Sequence, residues 1–266
     1  MNAIAIGPLV LATDRFAAIA GIFAFLIAAA LFARRLDAVA GRWSGVALLA
    51  GVVAARAGHV GLNWESFSYE PWRILALWQG GFQPLAGLVG VIVSALFFVR
   101  SIQSGVAMGL SLAIGLFVWS LVFQLTQATM GQPAPQFALQ RLDGTSVSLA
   151  DTGGRAAVIN IWATWCPPCR REMPLLADAA ERRGGEVAFF FVNLAEGEER
   201  IRSYLDGEGL RLENVLLDPG MAVPRHYNTI GVPVTLFLKP DGALSAIYTG
   251  EISPEALEAN IRRVLR

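Results

Sequence analysis

The chain has two cysteines, Cys166 and Cys169, set three residues apart in Trp165-Cys166-Pro167-Pro168-Cys169. Thiols at this spacing can close on each other, so the pair can hold either two protons and two electrons or a disulfide. A structural disulfide framework is excluded because no third cysteine exists, and a bridge this short removes little entropy from the unfolded chain. A structural zinc site wants four Cys or His ligands, and only His226 in the same half of the chain could join the two thiols. The pair is therefore read as redox chemistry, with no metal and no cofactor.

Reactive thiols need a position that favours the thiolate. Ala156-Ala157-Val158-Ile159-Asn160-Ile161-Trp162 is a continuous apolar run of the kind a buried central strand shows, and it ends three residues before Cys166. After Cys169, Met173, Leu176, Ala177 and Ala180 recur at helical spacing from Arg170 to Arg183, closing at Gly184-Gly185. Cys166 thus falls where a strand ends and a helix begins. There the free N–H groups and the positive end of the helix dipole lower a thiol pKa below about 8.5. Cys166 is assigned as an accessible nucleophile and Cys169, a turn further on, as the buried resolving thiol. Pro167 and Pro168 bring neither an N–H nor a positive charge. The Cys166 thiolate is then less stabilised than with a histidine between the cysteines, the dithiol tends to become a disulfide, and the pair donates electrons. An oxidase or isomerase would share the motif and differ in potential.

The first half of the chain has another solvent. Hydrophobic residues make up 55% of the chain and charged residues 16%, too apolar for an ordinary soluble protein. Residues 1–125 carry seven Arg against four acids, and residues 126–266 carry fourteen Lys and Arg against seventeen acids. Neither half has the basic patch of a nucleic-acid binder, which excludes nucleic acid as a partner. Four stretches approach the twenty apolar residues that cross a bilayer: about Phe16 to Ala33, Trp43 to Leu62, Phe82 to Val99 and Gly105 to Leu125. The first lacks a basic leader and ends at Arg34-Arg35, so it reads as an uncleaved span. Arg34, Arg35 and Arg42 in the first loop and Arg100 in the third place these loops in the cytoplasm. Both termini then lie outside it. Trp43, Trp64, Trp72 and Trp78 fall near span ends, as interfacial anchors do. Arg56, inside the second span, is read as structural or inherited before functional, and His59 as a bland position near a span end.

From Thr126 to Gln136 the sequence is polar, small and proline-containing, a linker. Beyond it, residues 137–142 and 146–149 flank an Asp143-Gly144 turn as a hairpin. Val187 to Val192 reads as a second buried strand, Glu196 to Leu205 as a helix, and Val232 to Leu238 as a strand. Leu244 to Tyr248 follows an Asp241-Gly242 turn, and a last helix opens at Ser253-Pro254-Glu255 with a serine cap. The expected architecture is a four-helix transmembrane domain (1–125), a linker (126–136) and an α/β domain (137–266) with a mixed central sheet and helices on both faces.

Residues 160–174, Asn160-Ile161-Trp162-Ala163-Thr164-Trp165-Cys166-Pro167-Pro168-Cys169-Arg170-Arg171-Glu172-Met173-Pro174, together with Tyr227-Asn228-Thr229-Ile230-Gly231-Val232-Pro233 and Lys239-Pro240-Asp241-Gly242, resemble TlpA/ResA-type thioredoxin-like reductases over residues 132–266. The resemblance implies a thioredoxin-like fold and a cis peptide at Pro233, which with Val232 presents backbone to the substrate, while Trp165 stands at the rim of the substrate site. It also implies a site carboxyl at Glu172, which could exchange protons with the cysteines; a solvated position paired to Arg170 or Arg171 is the other reading. Asn160 stands where many thioredoxins have a buried acid. The substrates implied are disulfide-bonded exported proteins, among them apocytochrome c, at a bacterial inner membrane with the domain in the periplasm. Relays of the DsbD/CcdA type carry cysteine pairs in their membrane helices and this chain has none there, so a separate membrane thiol donor is expected.

A second resemblance covers about the first 100 residues. Ile6-Gly7-Pro8-Leu9, Arg34-Arg35, Ala55-Arg56-Ala57-Gly58-His59-Val60 and residues 78–90 look like prolipoprotein diacylglyceryl transferases. Where that family has a catalytic histidine this chain has Leu85-Ala86, and the later helices are missing, which implies a retired scaffold in the bilayer. A membrane adaptor with a thioredoxin-like docking module is the rival from another class.

Overall fold

A segment in hydrocarbon must satisfy its own backbone, so apolar sequence of membrane length folds as helix. The computed structural model of the chain describes residues 3–6, 9–126 and 130–266. These divide into two units, Thr13–Thr126 and Gln127–Arg266 with Met1–Ala12. Gly7 and Pro8 of the Ile6–Leu9 motif, and Gln127 to Thr129 of the expected linker, lie outside the described residues. Strands β1 (Ala3–Ile6) and β2 (Leu9–Ala12) pair antiparallel.

The first unit contains α1 (Thr13–Arg35), α2 (Val39–Leu62), the short α3 (Trp64–Tyr69), two 3-10 turns at Pro71–Leu75 and Leu77–Gln79, then α4 (Pro84–Leu96) and α5 (Ile102–Thr126). Three of these, α1, α2 and α5, are long and apolar enough to cross a membrane. The fourth expected span is not: α4 has 13 residues, about 20 Å of helix against a hydrocarbon core of about 30 Å. Its start is set by Pro84, which follows the left-handed Gly80 and Gly81, and it closes in a turn where Phe98 N and Val99 N both donate to Ala95 O. Hydrophobicity runs on through residues 82–99, but the helix does not.

Close packing in this unit uses missing side chains. A Cβ on Gly115 of α5 would stand 2.7 Å from Phe25 Cβ of α1, and one on Gly90 of α4 would stand 2.7 Å from the Ala50 carbonyl of α2. Trp43 departs from its expected interfacial place. It is buried, donates from Nε1 to Ser94 Oγ at 3.0 Å and meets Phe25 edge to face, because an indole inside a bundle needs a hydrogen-bond partner and α4 supplies one. Trp64, Trp72 and Trp78 are exposed.

Arg56 is buried and organises the connection from α2 to α4. Nε donates to Ile74 O (2.9 Å), Nη1 to Gly80 O (2.7 Å) and Gly81 O (2.9 Å), and Nη2 to Arg73 O (2.6 Å), with the Phe67 and Phe82 rings 5.4 and 5.9 Å away. Five donors in a fixed fork suit a cluster of four carbonyls in this connection, of which Arg73 O also accepts from Ala76 N. This is the structural role anticipated for Arg56. His59 stacks edge-on against Phe67 and lies beside Gly81.

The second unit is built on a seven-stranded sheet of order β4-β3-β7-β6-β5-β8-β9. Its strands are β3 (Ala138–Arg141), β4 (Ser146–Ser148), β5 (Ala156–Trp162), β6 (Val187–Leu194), β7 (Val215–Asp218), β8 (Val234–Leu238) and β9 (Leu244–Thr249). β5, β6 and β7 run parallel, while β8, β9, β3 and β4 pair antiparallel, so the sheet is mixed. Because successive side chains alternate, Val158 and Trp162 of β5 join one core with α6 (Pro167–Arg183), α7 (Glu198–Glu208) and α9 (Pro254–Val264). Ile159 and Ile161 join the other with Val223 of α8 (Ala222–His226) and Tyr227. Strand β7 and helix α8 escaped the sequence reading. Four residues are too few to show a period, and β7 is defined by its pairing with β6 and β3.

Residues 131–134 dock on this unit. Gly131 N donates to Leu244 O, Leu244 N to Gln132 O and Ala134 N to Gly242 O. His226 Nε2 lies 2.9 Å from Pro133 O, and Gln132 Nε2 donates to His226 O.

Candidate active site

The site forms where β5 stops. Trp162 completes the strand, Ala163 to Trp165 turn, and α6 begins at Pro167 with Cys166 as its N-cap in extended conformation. Pro167 and Pro168 occupy the first helical positions, where a missing N–H leaves no intrahelical bond unmade. The N–H of Cys169 donates to Cys166 Sγ at 3.2 Å, and the two sulfurs are joined in a disulfide.

In this oxidised state Cys166 is 3% exposed and Cys169 fully buried. Cys166, expected to be accessible, is covered here, and both cysteines join the core beneath α6. Trp165, beside it, is 61% exposed. Val232 packs against the same core. The Val232–Pro233 peptide is cis, and Pro233 O accepts from Gly250 N.

Glu172 is on the buried face of α6 with Cys169, Met173 and Leu176. Residues three apart on a helix have Cβ atoms about 5–6 Å apart, which sets this carboxyl one turn from Cys169. Oε1 accepts from Asn160 Nδ2 and Oε2 from Ile252 N, each at 2.8 Å. Asn160 also donates to Thr235 Oγ1 at 3.1 Å. Burial pushes the Glu172 carboxyl up to about 8, against the two N–H bonds that pull it down. Of the two readings of Glu172, the solvated one is ruled out: Arg170 pairs with Glu208 and Arg171 with Glu251, each at 2.6 Å. Asn160 shares the α6 face of β5 with Val158 and Trp162. Where a buried acid was noted as missing from β5, the carboxyl comes from α6 instead.

Glu196 was expected to open a helix. It lies in the loop between β6 and α7, with its carboxylate turned onto Thr164. Nothing local in the sequence announces this, since Thr164 is 32 residues away. Among the described residues no group of three or more His, Cys, Asp or Glu is placed to hold a metal ion.

A mixed sheet with the parallel strand β5 feeding a helix capped by one half of a disulfide, and with a cis proline leading into β8, defines a thioredoxin-like redox domain. The AhpC/TSA family matches residues 130–247. The thioredoxin-like protein YneN of Bacillus subtilis is 31% identical over 134 residues, 49% of this chain and 78% of that one. The thiol-disulfide oxidoreductase ResA of Halalkalibacterium halodurans is 30% identical over 151 residues, 56% and 85% of the two chains. A thiol:disulfide interchange protein of the thioredoxin family from Chlorobium tepidum, solved by crystallography, is 25% identical over 50% of this chain and 96% of its own, with a TM-score of 0.46. The chain belongs to the ResA-type thiol-disulfide oxidoreductases, and it is an enzyme of disulfide exchange.

Proposed function

We propose that the chain is a membrane-anchored reductase of disulfide-bonded exported proteins, acting in the bacterial periplasm. The observation that carries this reading is the Cys166–Cys169 disulfide at the start of α6, with a buried carboxyl one turn behind it. In the reduced enzyme the Cys166 thiolate attacks one sulfur of a substrate disulfide, and the other substrate sulfur leaves as a thiolate and takes a proton. Cys169 gives up its proton and attacks Cys166 Sγ, which releases the second substrate thiol and leaves the enzyme disulfide. The two electrons come from the enzyme dithiol, and the two protons on the substrate thiols come from solvent, which receives those of Cys166 and Cys169. Glu172, whose carboxyl titrates at about 8, accepts the Cys169 proton through its ionised fraction and passes it to solvent. Trp165 and Val232 border the substrate, and Pro233 positions the Val232 backbone.

Direction follows from donor supply. A thiolate at Cys166 gains no N–H from Pro167 or Pro168, and the donor on its sulfur is Cys169 N. A weakly stabilised dithiol reduces others. Electrons then arrive from a separate membrane thiol donor of the DsbD/CcdA type, because no cysteine lies in residues 1–125. On this reading residues 1–125 are the membrane domain, with α1, α2 and α5 as its candidate spans and a retired prolipoprotein diacylglyceryl transferase-like scaffold. Residues 126–136 are the linker, with its far end docked from Gly131, and residues 137–266 are the redox domain.

The test is the reduction potential of the full-length chain in lipid nanodiscs, by glutathione or dithiothreitol equilibration and thiol labelling. A value near or below about −270 mV supports the reductase, and one near about −120 mV overturns the direction. A C-terminal alkaline phosphatase fusion is expected to be active, and an inactive one places the domain in the cytoplasm.

A further inference from the structure

The turn that delivers Cys166 to the helix is held from outside. Thr164, two residues before Cys166, is 8% exposed. Its N–H donates to Glu196 Oε2 at 2.6 Å and its hydroxyl to Glu196 Oε1 at 2.5 Å. The Glu196 side chain is 5% exposed, and Oε2 accepts a third bond from Asn193 Nδ2 at 2.9 Å. Arg200 closes the arrangement, with Nε 3.2 Å from Glu196 Oε1 and 3.2 Å from Thr164 Oγ1.

The backbone is bent to bring this about. Ala195, which joins the end of β6 to Glu196, has φ of +55°, a left-handed conformation that a residue with a Cβ rarely adopts. The carboxylate is thereby turned back over the end of the neighbouring strand β5, where it grips both polar groups of one residue. The burial is uneven. Arg200 is 67% exposed, so its ion pair adds little, and the holding force is in the two bonds to Thr164.

We propose that Glu196 is a positioning residue for the redox reaction: by clamping Thr164 it fixes the turn in which Cys166 caps α6, and so keeps the reactive sulfur on the Cys169 N–H. Ala163 O accepts from Cys166 N at 3.2 Å, so the turn from 163 to 166 has one local bond, and Glu196 supplies two more. When the disulfide opens, the covalent tie between Cys166 and Cys169 is lost and the clamp remains. The inference rests on Cys166 being the attacking thiol.

Two effects of the carboxylate oppose each other. Its negative charge near the site disfavours a thiolate, whereas its hold on Thr164 favours one by keeping the sulfur at the helix start. Glu196→Gln removes the charge and keeps a fork that accepts from Thr164 N and donates to Thr164 Oγ1. Glu196→Ala removes both.

The experiment uses the full-length chain in detergent micelles, with the Cys166 thiol pKa read from the pH dependence of iodoacetamide alkylation and the rate read from insulin reduction. Glu196→Ala is expected to raise the thiol pKa and slow the reduction about tenfold, the effect of losing one charge-assisted hydrogen bond. Glu196→Gln is expected to stay near wild type, and Thr164→Val, which keeps the fold if Glu196→Ala does not, to move both readouts the same way by less. Wild-type pKa and rate in Glu196→Ala and Thr164→Val, whatever their melting temperatures, overturn the proposal. So does a thiol pKa that falls in Glu196→Gln, which makes the charge and not the clamp decisive. Cys166→Ser separates the two levels: if it keeps activity the assignment of the site fails, and if it is inactive while Glu196→Ala is wild type, the clamp alone fails.

Discussion

Asn160 Nδ2 donates to Glu172 Oε1 at 2.8 Å, joining the central strand to the helix that begins at the redox disulfide. Burial of the carboxyl outweighs this bond and its counterpart from Ile252, so Glu172 holds its proton to about pH 8. The proton matters to stability as well as to exchange chemistry.

A carboxyl whose pKa is raised on folding binds more protons in the native state than in the unfolded one. Its favourable contribution is complete below the unfolded value of about 4.5 and is lost as pH rises towards 8. The soluble unit of the wild type is therefore expected to lose on the order of a few kcal/mol between pH 5 and pH 9 from this group. Glu172→Gln abolishes that slope. Thermal melting across this range checks it, and equal slopes in both proteins contradict the assignment.

Asn160→Ala takes from Glu172 a donor that favours its ionised form. The carboxyl pKa is expected to rise further, shifting the pH profile of disulfide exchange upward relative to wild type. Thr235 Oγ1 also loses its donor, so stability should fall by about 1 to 3 kcal/mol. Exchange rates from pH 6 to 9 decide between an upward shift and none.

Cys169→Ser leaves a mixed disulfide at Cys166 with no resolving thiol. It is expected to accumulate covalent complexes with substrate proteins that dissolve on adding dithiothreitol, while Cys166→Ser forms none. Non-reducing electrophoresis of membranes reads this directly, and complexes in Cys166→Ser alone would reverse the two roles.

Arg56→Ala removes four hydrogen bonds from a buried guanidinium to the carbonyls of Arg73, Ile74, Gly80 and Gly81. Arg73 O keeps the Ala76 N–H, and the carbonyls of Ile74, Gly80 and Gly81 lose the guanidinium donor, at a cost of about 3 kcal/mol or more. The melting temperature of the detergent-solubilised protein should fall clearly, and Arg56→Lys, a point charge with three donors, should recover only part of it. An unchanged melting temperature in Arg56→Ala means the connection from α2 to α4 has other support.

Much of this protein could be read from local pattern. The cysteine pair, the apolar run of β5 before it, the helix after it and the serine cap at Ser253 all follow from spacing and residue type. Glu172 was legible only through the family resemblance, beside a solvated reading that the structure removes by burying it with Cys169, Met173 and Leu176. Its partner could not be read, since the Ile252 N–H comes from 80 residues away.

The apolar N-terminal unit shows the same division. Hydropathy located every apolar helix, because the preference of a side chain for lipid belongs to that residue alone. That Trp43 turns inward to Ser94 depends on a side chain in another helix. The sequence by itself determined the longer elements and the redox pair, since period, capping and thiol chemistry are short-range, while β7 and α8 were too short to show a period. The tertiary structure alone decided which buried polar groups meet: Glu172 with Asn160, Glu196 with Thr164, Arg56 with its carbonyls. A polar group taken from water has to find a partner, and which partner is near it is fixed only when distant segments pack.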